Sequence, residues 1–568
     1  MHKANVLLVA FSGYPEINST WLHLDNGLAL LAGALVAGGH RVRIKDLQTL
    51  DVWGRLYPHE HKAEHATLYQ EFDQYVHNRG CGAPPDDSVI ARAKVYDQLI
   101  VERNSKVVEA IAHEVAEEFQ AFAPHVIGFK LWSQNSFQDQ ILLARRLKQS
   151  FPNALLVAGG PAVELLREAV LRHTDVFDLL IYGPGEQTLV DIADQKARGG
   201  MDPSKLSSVI YRGVNEQIVK TDRQDPRLAS GIMPCYQREV YVDYDKKLHN
   251  VHVESDRGCN FLCEFCIHPL KSGRQQKKSA EEFVQELAQL NKEYGFSYFH
   301  LAGSDPPYRH MVEVSRAVVE AGLDFGFMGF QSLRALDEPG LKLMQRANFD
   351  RLWVGIESGD SEIVFDIQKG RKLERLEARS DLVREHGIAI TGSIITPCPG
   401  ERDGSVDATI TLLQKIRPDV VLAYPPLVQP GSTWMNSSSY PISIGDQNAV
   451  EDIFAVNGME WHTGFRILPT AFFDSRLDEL IQINGGSYSD AYCQYVFNRR
   501  KISKETANRS SVAQFSDRNK HRSLLKQLYF RAQVSVCNAI RTGSFETAQN
   551  TVDIYNQFVL KGGYSAIA

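Results

Sequence analysis

At 568 residues the chain exceeds what one hydrophobic core sustains, so about two to four domains are expected. Its 43% hydrophobic and 23% charged residues, without a low-complexity tract, describe an ordinary globular protein. The net charge of -7 offers no basic face to nucleic acid, and runs such as Lys277-Lys278 read as solvated surface. No stretch approaches the roughly 20 apolar residues of a bilayer span. The run Val6–Ala10 after Met1–Asn5 is too short for a signal-peptide core. A cytosolic protein with no membrane partner is expected, and eight cysteines in a reducing compartment argue against a disulfide framework.

The first two hundred residues alternate strand-like and helix-like patterns. Strands are expected at Asn5–Ala10, Arg41–Lys45, Val126–Leu131, Ala154–Ala158 and Leu179–Tyr182, with helices at Gly27–Gly38, Arg103–Phe119, Gln138–Gln149 and Gln187–Ala197. That rhythm predicts a doubly wound, Rossmann-like parallel sheet over residues 1–200. Residues 51–102 fit it poorly and read as an irregular inserted excursion, and 201–246 reads as a linker.

From residue 247 the alternation restarts. Strands at 250–255, 298–302, 324–329, 351–356, 387–395 and 419–424, with helices between them, predict a partial (β/α)6 barrel over 247–444. Ligands of such a barrel sit at the C-terminal strand ends. Residues 445–568 lose the β/α rhythm. The stripe Leu524, Leu525, Leu528, Ala532 and Val536 predicts a core-facing helix within a mainly helical C-terminal region that lids or braces the barrel.

The chemistry concentrates in Arg257-Gly258-Cys259-Asn260-Phe261-Leu262-Cys263-Glu264-Phe265-Cys266. Three thiolates spaced CxxxCxxC can hold three irons of a 4Fe–4S cubane and leave the fourth open to a small chelating ligand. Zinc is the competing reading. It wants four closed ligands and would need His268 at an unusual spacing. The position of the loop, directly after a strand at the active end of the barrel, favours the cluster.

In spacing, and in the aromatic residue before its third cysteine, this loop resembles the radical S-adenosylmethionine (SAM) superfamily. The resemblance implies that Cys259, Cys263 and Cys266 bind the cluster, that the open iron binds the methionine end of SAM, and that Phe265 lies against adenine. It carries over to Gly303 and Ser304, where Ala302-Gly303-Ser304-Asp305 stands in place of the family's Gly-Gly-Glu turn. It carries over as well to Glu357 and Ser358 of Gly355-Ile356-Glu357-Ser358 at the ribose, and to Ile394 in Gly392–Glu401 on the adenine side. For Glu357 the alternative is a buried carboxylate paired with an arginine such as Arg334. Cys398 reads as a packed small residue, and Tyr424–Ser432 resembles the closing segment of the barrel.

The N-terminal alternation resembles the cobalamin-binding domain that precedes the barrel in one large branch of that superfamily. Gly159, Gly160 and Pro161, then Gly183, Gly185 and Glu186, mark the matching strand ends, where glycines let backbone approach a bulky flat ligand. Ser133, Gln134, Asn135 and Ser136 end another strand and suit the nucleotide tail. The alternative is a cofactor-free domain that only recognises substrate. An Asp-x-His-x-x-Gly motif is absent, so cobalamin is expected base-off, with the loop Ser12–Asn26 bordering its lower face.

The resemblance implies a cobalamin-dependent radical SAM methyltransferase acting on a small-molecule or peptide substrate, served by a flavodoxin- or ferredoxin-type electron donor. The alternatives are a radical cyclase, oxidoreductase or rearrangement enzyme without net methylation, and a cluster-bearing sensor that never turns over. Tyr308, His310, Gln331 and Arg334, near predicted strand ends, are the candidate substrate residues.

Overall fold

The computed structural model describes residues 3–13, 19–80, 86–132, 136–223, 231–303, 305–369, 373–396, 398, 400–402, 404–424, 431–436, 501 and 523–560. Along the first part of the chain come β1 (Asn5–Ala10), β2 (His23–Leu24), β3 (Arg41–Asp46), β4 (Val126–Lys130), β5 (Leu155–Gly159), β6 (Leu179–Ile181), β7 (Val209–Arg212) and β8 (Ile218–Lys220). All but β2 form one seven-stranded sheet in the order β3-β1-β4-β5-β6-β7-β8. It is parallel from β3 to β6, and β7 and β8 run antiparallel. Buried between helical layers, β1 is an unbroken apolar run rather than an alternation. The helix Asn26–Ala37 that follows it is started by Asp25, whose carboxylate accepts the Leu28 N–H at 2.9 Å.

The second part carries β9 (Leu248–Glu254), the two-residue ribbon β10 (Asp256–Arg257) and β11 (Gln276–Lys277), then β12 (Tyr298–Ala302), β13 (Gly326–Phe330), β14 (Phe349–Glu357), β15 (Ala389–Ile395) and β16 (Val420–Tyr424). The six expected barrel strands are present and parallel. Val251, Val253, Phe299, Leu301, Val354 and Ile356 pack outward on the surrounding helices. The opposite parity places the His300 ring against His252 of the neighbouring β9 and against Trp353 of β14, two strands away. The molecule is therefore a mixed α/β protein with a Rossmann-like sheet, a partial barrel and C-terminal helices.

Three features depart from the sequence reading. The stretch 51–102 is helical, not irregular: helices span Leu50–Leu56, Lys62–Gly80 and Asp87–Phe119. Its apolar positions are sparse, so the pattern did not announce itself. The stretch 201–246 is not a free linker. It contributes β7 and β8 to the first sheet, and Val242 N–H donates to the Ile44 carbonyl at 3.0 Å. Finally, the barrel sheet has a seventh strand, because β2, from the N-terminal unit, pairs in parallel with β9. Two residues are too short for a periodic signal, and only the tertiary fold brings them to that edge.

Of the C-terminal region, Ser523–Thr542 and Phe545–Leu560 form two helices. They brace the start of the barrel strands rather than cover its mouth. Tyr529 rests against Tyr298 at the first residue of β12, and the Asn556 side chain accepts the His249 N–H at 2.9 Å. Ala532 and Val536 of the predicted stripe are buried there. Residues 437–500 and 502–522 lie outside the described residues. None of the described helices is long and apolar enough to cross a membrane.

Candidate functional site

The cysteine loop leaves the barrel through the β10–β11 ribbon. Gly258 makes the exit possible: its φ is +88°, and a side chain there would run into the Arg274 carbonyl. Beyond it, Cys259 N–H donates to Gly273 O at 3.2 Å and Cys266 N–H to Cys263 O at 3.0 Å, folding the loop back on itself. Backbone amides point at two of the sulfurs: Phe261 N–H at 3.5 Å from Cys259 Sγ, and His268 N–H at 3.4 Å from Cys266 Sγ. Such donors favour thiolate over thiol.

Burial pushes the Cys263 and Cys266 thiols up, with further upward pressure from the other loop cysteines and Glu357, while Lys369 pulls the other way. The three sulfurs thus share one electrostatic environment. Among the described residues, no group of three His, Cys, Asp or Glu converges closely enough to hold a single metal ion. A cubane binds one thiolate at each of three corner irons, so its ligands stand further apart than those of one zinc. The donor set fits the cluster.

Lys369, which no motif flagged, lies at the centre of this end of the barrel. Its Nζ is 3.1 Å from Glu357 Oε1 and 5.8 Å from the Phe265 ring centre. Burial works against its charge, but Glu357 and Cys263 outweigh that and raise its pKa. Glu357 itself is raised by burial, against the pull of Lys369. It sits at φ +65° where β14 bulges against β15, a strained conformation for a side chain of that size. Gly355 leaves room for the pair, since a Cβ there would lie 2.6 Å from Lys369 Nζ. The partner of Glu357 is therefore Lys369 and not Arg334. Arg334 is exposed, with its guanidinium 5.4 Å from the Phe261 ring of the cysteine loop.

The other expected SAM-side residues divide. Phe265 packs beside Ile395 on a small apolar cluster of Ile363, Ile367, Cys398 and Trp434, which makes Cys398 a packed residue as expected. Ile394 faces the opposite way, its side chain in the core beneath the helices, while Ile395 packs on the cluster that also holds Phe265. The register of a strand is decided by its neighbours, and one residue's slip reverses the face. The Ser358 hydroxyl is engaged within the protein, accepting the Asp360 N–H at 3.1 Å. Gly303 lies against the Asp256 carboxylate, which burial raises to about 6. Ser304 lies outside the described residues.

Two of the candidate substrate residues are buried on the helix that follows β12. Tyr308 donates to Asp337 Oδ1 at 2.8 Å from within the helix-side core, and His310 is fully buried on the same helix. Gln331 is buried too, donating to Pro306 O at 3.2 Å. The spacing that placed them near strand ends did not reveal which face they take.

The two sheets meet at a cavity of about 540 Å³. From the first sheet it is lined by Gly128, Lys130, Gly159, Gly160, Pro161, Gly183, Gly185 and Glu186, and from the barrel by Glu254, Asp256, Arg257, His268, Lys271 and Gly303. Gly160 has φ +91°, and a Cβ there would press on the backbone of Leu131 at 3.2 Å. Of the nine cobalamin-side residues expected, six therefore line one cavity. Ser133 and Gln134, with the neighbouring Asn135, lie outside the described residues, and Ser136 turns elsewhere, its Oγ accepting the Gly13 N–H at 3.0 Å.

Glu186 also makes a bond across the interface. The Arg257 guanidinium, two residues before Cys259, lies 3.2 Å from Glu186 and 2.6 Å from Glu254. Arg223 donates to Leu270 O at 2.9 Å and pairs with Glu164 at 3.2 Å, which ties the end of the cysteine loop to the first domain. On the far wall Lys130, paired with Asp25, lies 4.7 Å from the Trp132 ring centre. A cradle of glycine backbone and apolar side chains, closed on the barrel side by residues that flank the cysteine loop, suits a flat, bulky ligand whose other face meets the barrel.

Two family models match the chain: B12 binding domain over residues 88–193 and Radical SAM superfamily over residues 253–413. An uncharacterized methyltransferase of Pyrococcus horikoshii is 24% identical over 360 residues, 59% of this chain and 77% of that protein. An anaerobic magnesium-protoporphyrin IX monomethyl ester cyclase of Synechocystis is 24% identical, and a cytidylyl-2-hydroxyethylphosphonate methyltransferase of Streptomyces wedmorensis 22%. These matches cover 49% and 50% of this chain, and the chain spans 56% and 60% of the two relatives' lengths.

Among solved structures, the radical SAM methyltransferase TsrM of Kitasatospora setae, with cobalamin and a 4Fe–4S cluster bound, superposes with a TM-score of 0.54 at 16% identity. That match covers 76% of this chain and 74% of TsrM. The cobalamin-dependent radical SAM enzyme OxsB, with aqua-cobalamin and SAM bound, gives 0.53 at 12% identity over 98% and 72%. At these identities the likeness is one of fold. The chain thus carries a B12-binding domain and a radical SAM domain that line one cavity from its two sides, the pair of domains named in the cobalamin-dependent radical SAM enzymes it is similar to.

Proposed function

We propose that this enzyme is a methyltransferase that moves a methyl group from SAM, by way of cobalamin, to an unactivated carbon or phosphorus of a small-molecule or peptide substrate. The observation that carries this reading is the shared cavity. The glycine-rich ends of the first sheet and the residues that flank the cysteine loop, Arg257 before it and His268 and Lys271 after it, line the same space, so two cofactors held on either side of it would work on one substrate. When bound, the cluster with SAM supplies a 5′-deoxyadenosyl radical and the corrin supplies a transferable methyl group.

The residues of this chain have separable tasks in that reading. Cys259, Cys263 and Cys266 hold the cluster, with Phe261 and His268 amides stabilising their charge. Phe265, Ile395 and the Glu357–Lys369 pair border the SAM side. Gly159, Gly160, Pro161, Gly183 and Gly185 cradle the corrin. Base-off binding of the corrin, without a histidine from the first sheet, is part of this reading. A flavodoxin- or ferredoxin-type donor of low-potential electrons, in a reducing cytoplasm, completes the requirement. The names of the methyltransferase relatives and the TsrM fold support methylation.

A second reading, radical cyclisation without net methylation, is favoured by the likeness to the magnesium-protoporphyrin cyclase. The test is anaerobic purification with cobalamin supplied, followed by turnover with SAM labelled at its methyl group and a candidate substrate panel. About four irons and one corrin per chain, with label in the product, is the expected result. Product without label establishes the cyclase reading, and stoichiometric zinc without iron removes both.

A further inference from the structure

Parallel barrels ordinarily fill their interior with layers of branched aliphatic side chains. The interior of this one carries rings. His252 of β9, His300 of β12, Phe330 of β13 and Trp353 of β14 stand in one belt on the lumen side. The His300 ring centre is 4.3 Å from His252 and 5.0 Å from Trp353, and Phe330 is 5.1 Å from Trp353. His23 of β2 extends the belt, 5.4 Å from His252, and Thr391 of β15 joins it in register with Trp353. Side chains two apart on a strand share a face. His252 comes two residues before Glu254, and His300 two before Ala302, and both Glu254 and Ala302 line the cavity between the sheets. The belt therefore lies directly beneath that cavity.

Below the belt the lumen is closed. Asn250, Tyr298 and Met328 are buried on the same face, and Tyr529 of the helix Ser523–Thr542 packs on Tyr298 and His23. Above it the lumen opens, with His252, Trp353, Gly355, Ser393 and Ile395 all partly exposed. The polar atoms of the belt are unmatched. His23 Nδ1, His300 Nδ1, Trp353 Nε1 and Thr391 Oγ1 have no hydrogen-bond partner, although His300 and Thr391 are each only 4% exposed. Buried groups of this kind are nearly always paired. The imidazoles are also uncharged. Burial lowers His252 to about 4 and takes His300 well below the usual imidazole range, where His252, His23 and Arg351 add to the effect.

A space walled by rings, open on one side and edged by unmatched polar atoms, suits a guest of the same character. We propose that the belt selects the substrate by its reacting end, which is a flat, uncharged ring carrying both a hydrogen-bond acceptor and a donor, as in a lactam or an amide-bearing heterocycle. This rests on the enzyme reading above and narrows its substrate class. The Trp353 Nε1–H only donates and so calls for an acceptor. The Thr391 hydroxyl serves either way, and His300 Nδ1 does so according to its tautomer. A carboxylate or ammonium entering the belt would give up its water without meeting an opposite charge there. A ring resting on the belt turns its outer edge towards the cavity, where the glycine ends of the first sheet form the opposite wall.

The test uses the anaerobically purified holoenzyme in equilibrium dialysis against three probes of one shape. Quinolin-2-one has an N–H and a carbonyl, naphthalene has neither, and 2-naphthoate is charged. Quinolin-2-one is expected to bind about tenfold or more tighter than either of the others, the effect of one buried hydrogen bond gained or one charge desolvated. His300→Phe, Trp353→Phe and Thr391→Val keep the bulk and remove the polar atom. Each should weaken quinolin-2-one by about 3- to 10-fold and leave naphthalene within about twofold, with iron and corrin content as in wild type. Thr391→Val, the isosteric change, decides the matter where a ring substitution lowers the melting temperature. Equal binding of the three probes, as a lumen that holds only water would give, overturns the proposal. So does a quinolin-2-one affinity untouched by all three substitutions, and tighter binding of 2-naphthoate overturns it in favour of an anionic substrate. Holoenzyme loaded with iron and corrin that binds no probe overturns the seat and leaves the methyltransferase reading intact. Protein that takes up neither cofactor yet prefers quinolin-2-one through the belt keeps the seat and defeats that reading.

Discussion

The two sheets of this enzyme prepare for their ligands by opposite means. The barrel does it with side chains: three thiols on one loop and the Glu357–Lys369 pair beneath them. The first sheet does it by leaving side chains out, so that Gly159, Gly160, Gly183 and Gly185 present bare backbone to the cavity. A small cluster is captured by a few strong bonds, whereas a large flat ligand is captured by surface. The difference teaches where each half is vulnerable: the barrel to loss of a group, the first sheet to gain of one.

The sharpest test of that contrast removes a thiol. Cys263→Ala is expected to lose essentially all iron and all 5′-deoxyadenosine formation, while corrin affinity stays within about twofold because the two sets of contacts are separate. Iron assay and corrin dialysis on the same sample check both halves. The reciprocal change adds a side chain. Gly160→Val should cost about 100-fold or more in corrin affinity, since φ +91° resists a β-branched residue and its Cβ would meet Leu131 backbone at 3.2 Å. Iron content and the cluster's electron paramagnetic resonance signal should be unchanged. A Gly160→Val protein that binds cobalamin normally would show that the cradle is not made of backbone.

A milder change acts between the sheets. Arg257→Met deprives the partly buried Glu186 and Glu254 of their shared cation and loosens the tie between cysteine loop and cradle. The expected outcome is a roughly tenfold fall in product formed per 5′-deoxyadenosine, because reacting groups are held less well. Both cofactors still bind. Turnover counting with both products quantified measures it, and an unchanged ratio would mean that the pair only stabilises the fold.

The smallest effect concerns pH. Burial lowers His249 and His252, both in the barrel, to about 4. Below their unfolded value of about 6.5 the unfolded chain binds more protons than the native one. Stability is therefore lost as pH falls from about 6.5 towards 4, by about 1.4 kcal/mol per pH unit for each histidine. Asp139 of the first sheet has the opposite sign: its carboxyl is raised, so it favours the native state at low pH and loses that contribution as pH rises towards 7. Thermal melts of apo-protein from pH 4 to 8 should show an acid limb that His252→Phe makes shallower. An acid limb unchanged by that substitution would remove the barrel imidazoles as its cause.

The amino-acid sequence by itself determined the elements whose signals are local. Cys259, Cys263 and Cys266 are legible because a loop ligand set needs fixed spacing, and the six barrel strands because buried parallel strands read as apolar runs. The glycine pairs at 159–160 and 183–185 were legible only in their order, since bare backbone leaves no chemical name behind.

What the tertiary structure decided was everything that depends on which faces meet. It set Ile395 rather than Ile394 beside Phe265, gave Glu357 the partner Lys369 rather than Arg334, and turned Tyr308 into the core. It also added β2 to the barrel sheet and joined Glu186 to Arg257 across the cavity. Contacts between residues distant in the chain are fixed by the packing of whole sheets and helices, and no spacing in the sequence encodes them.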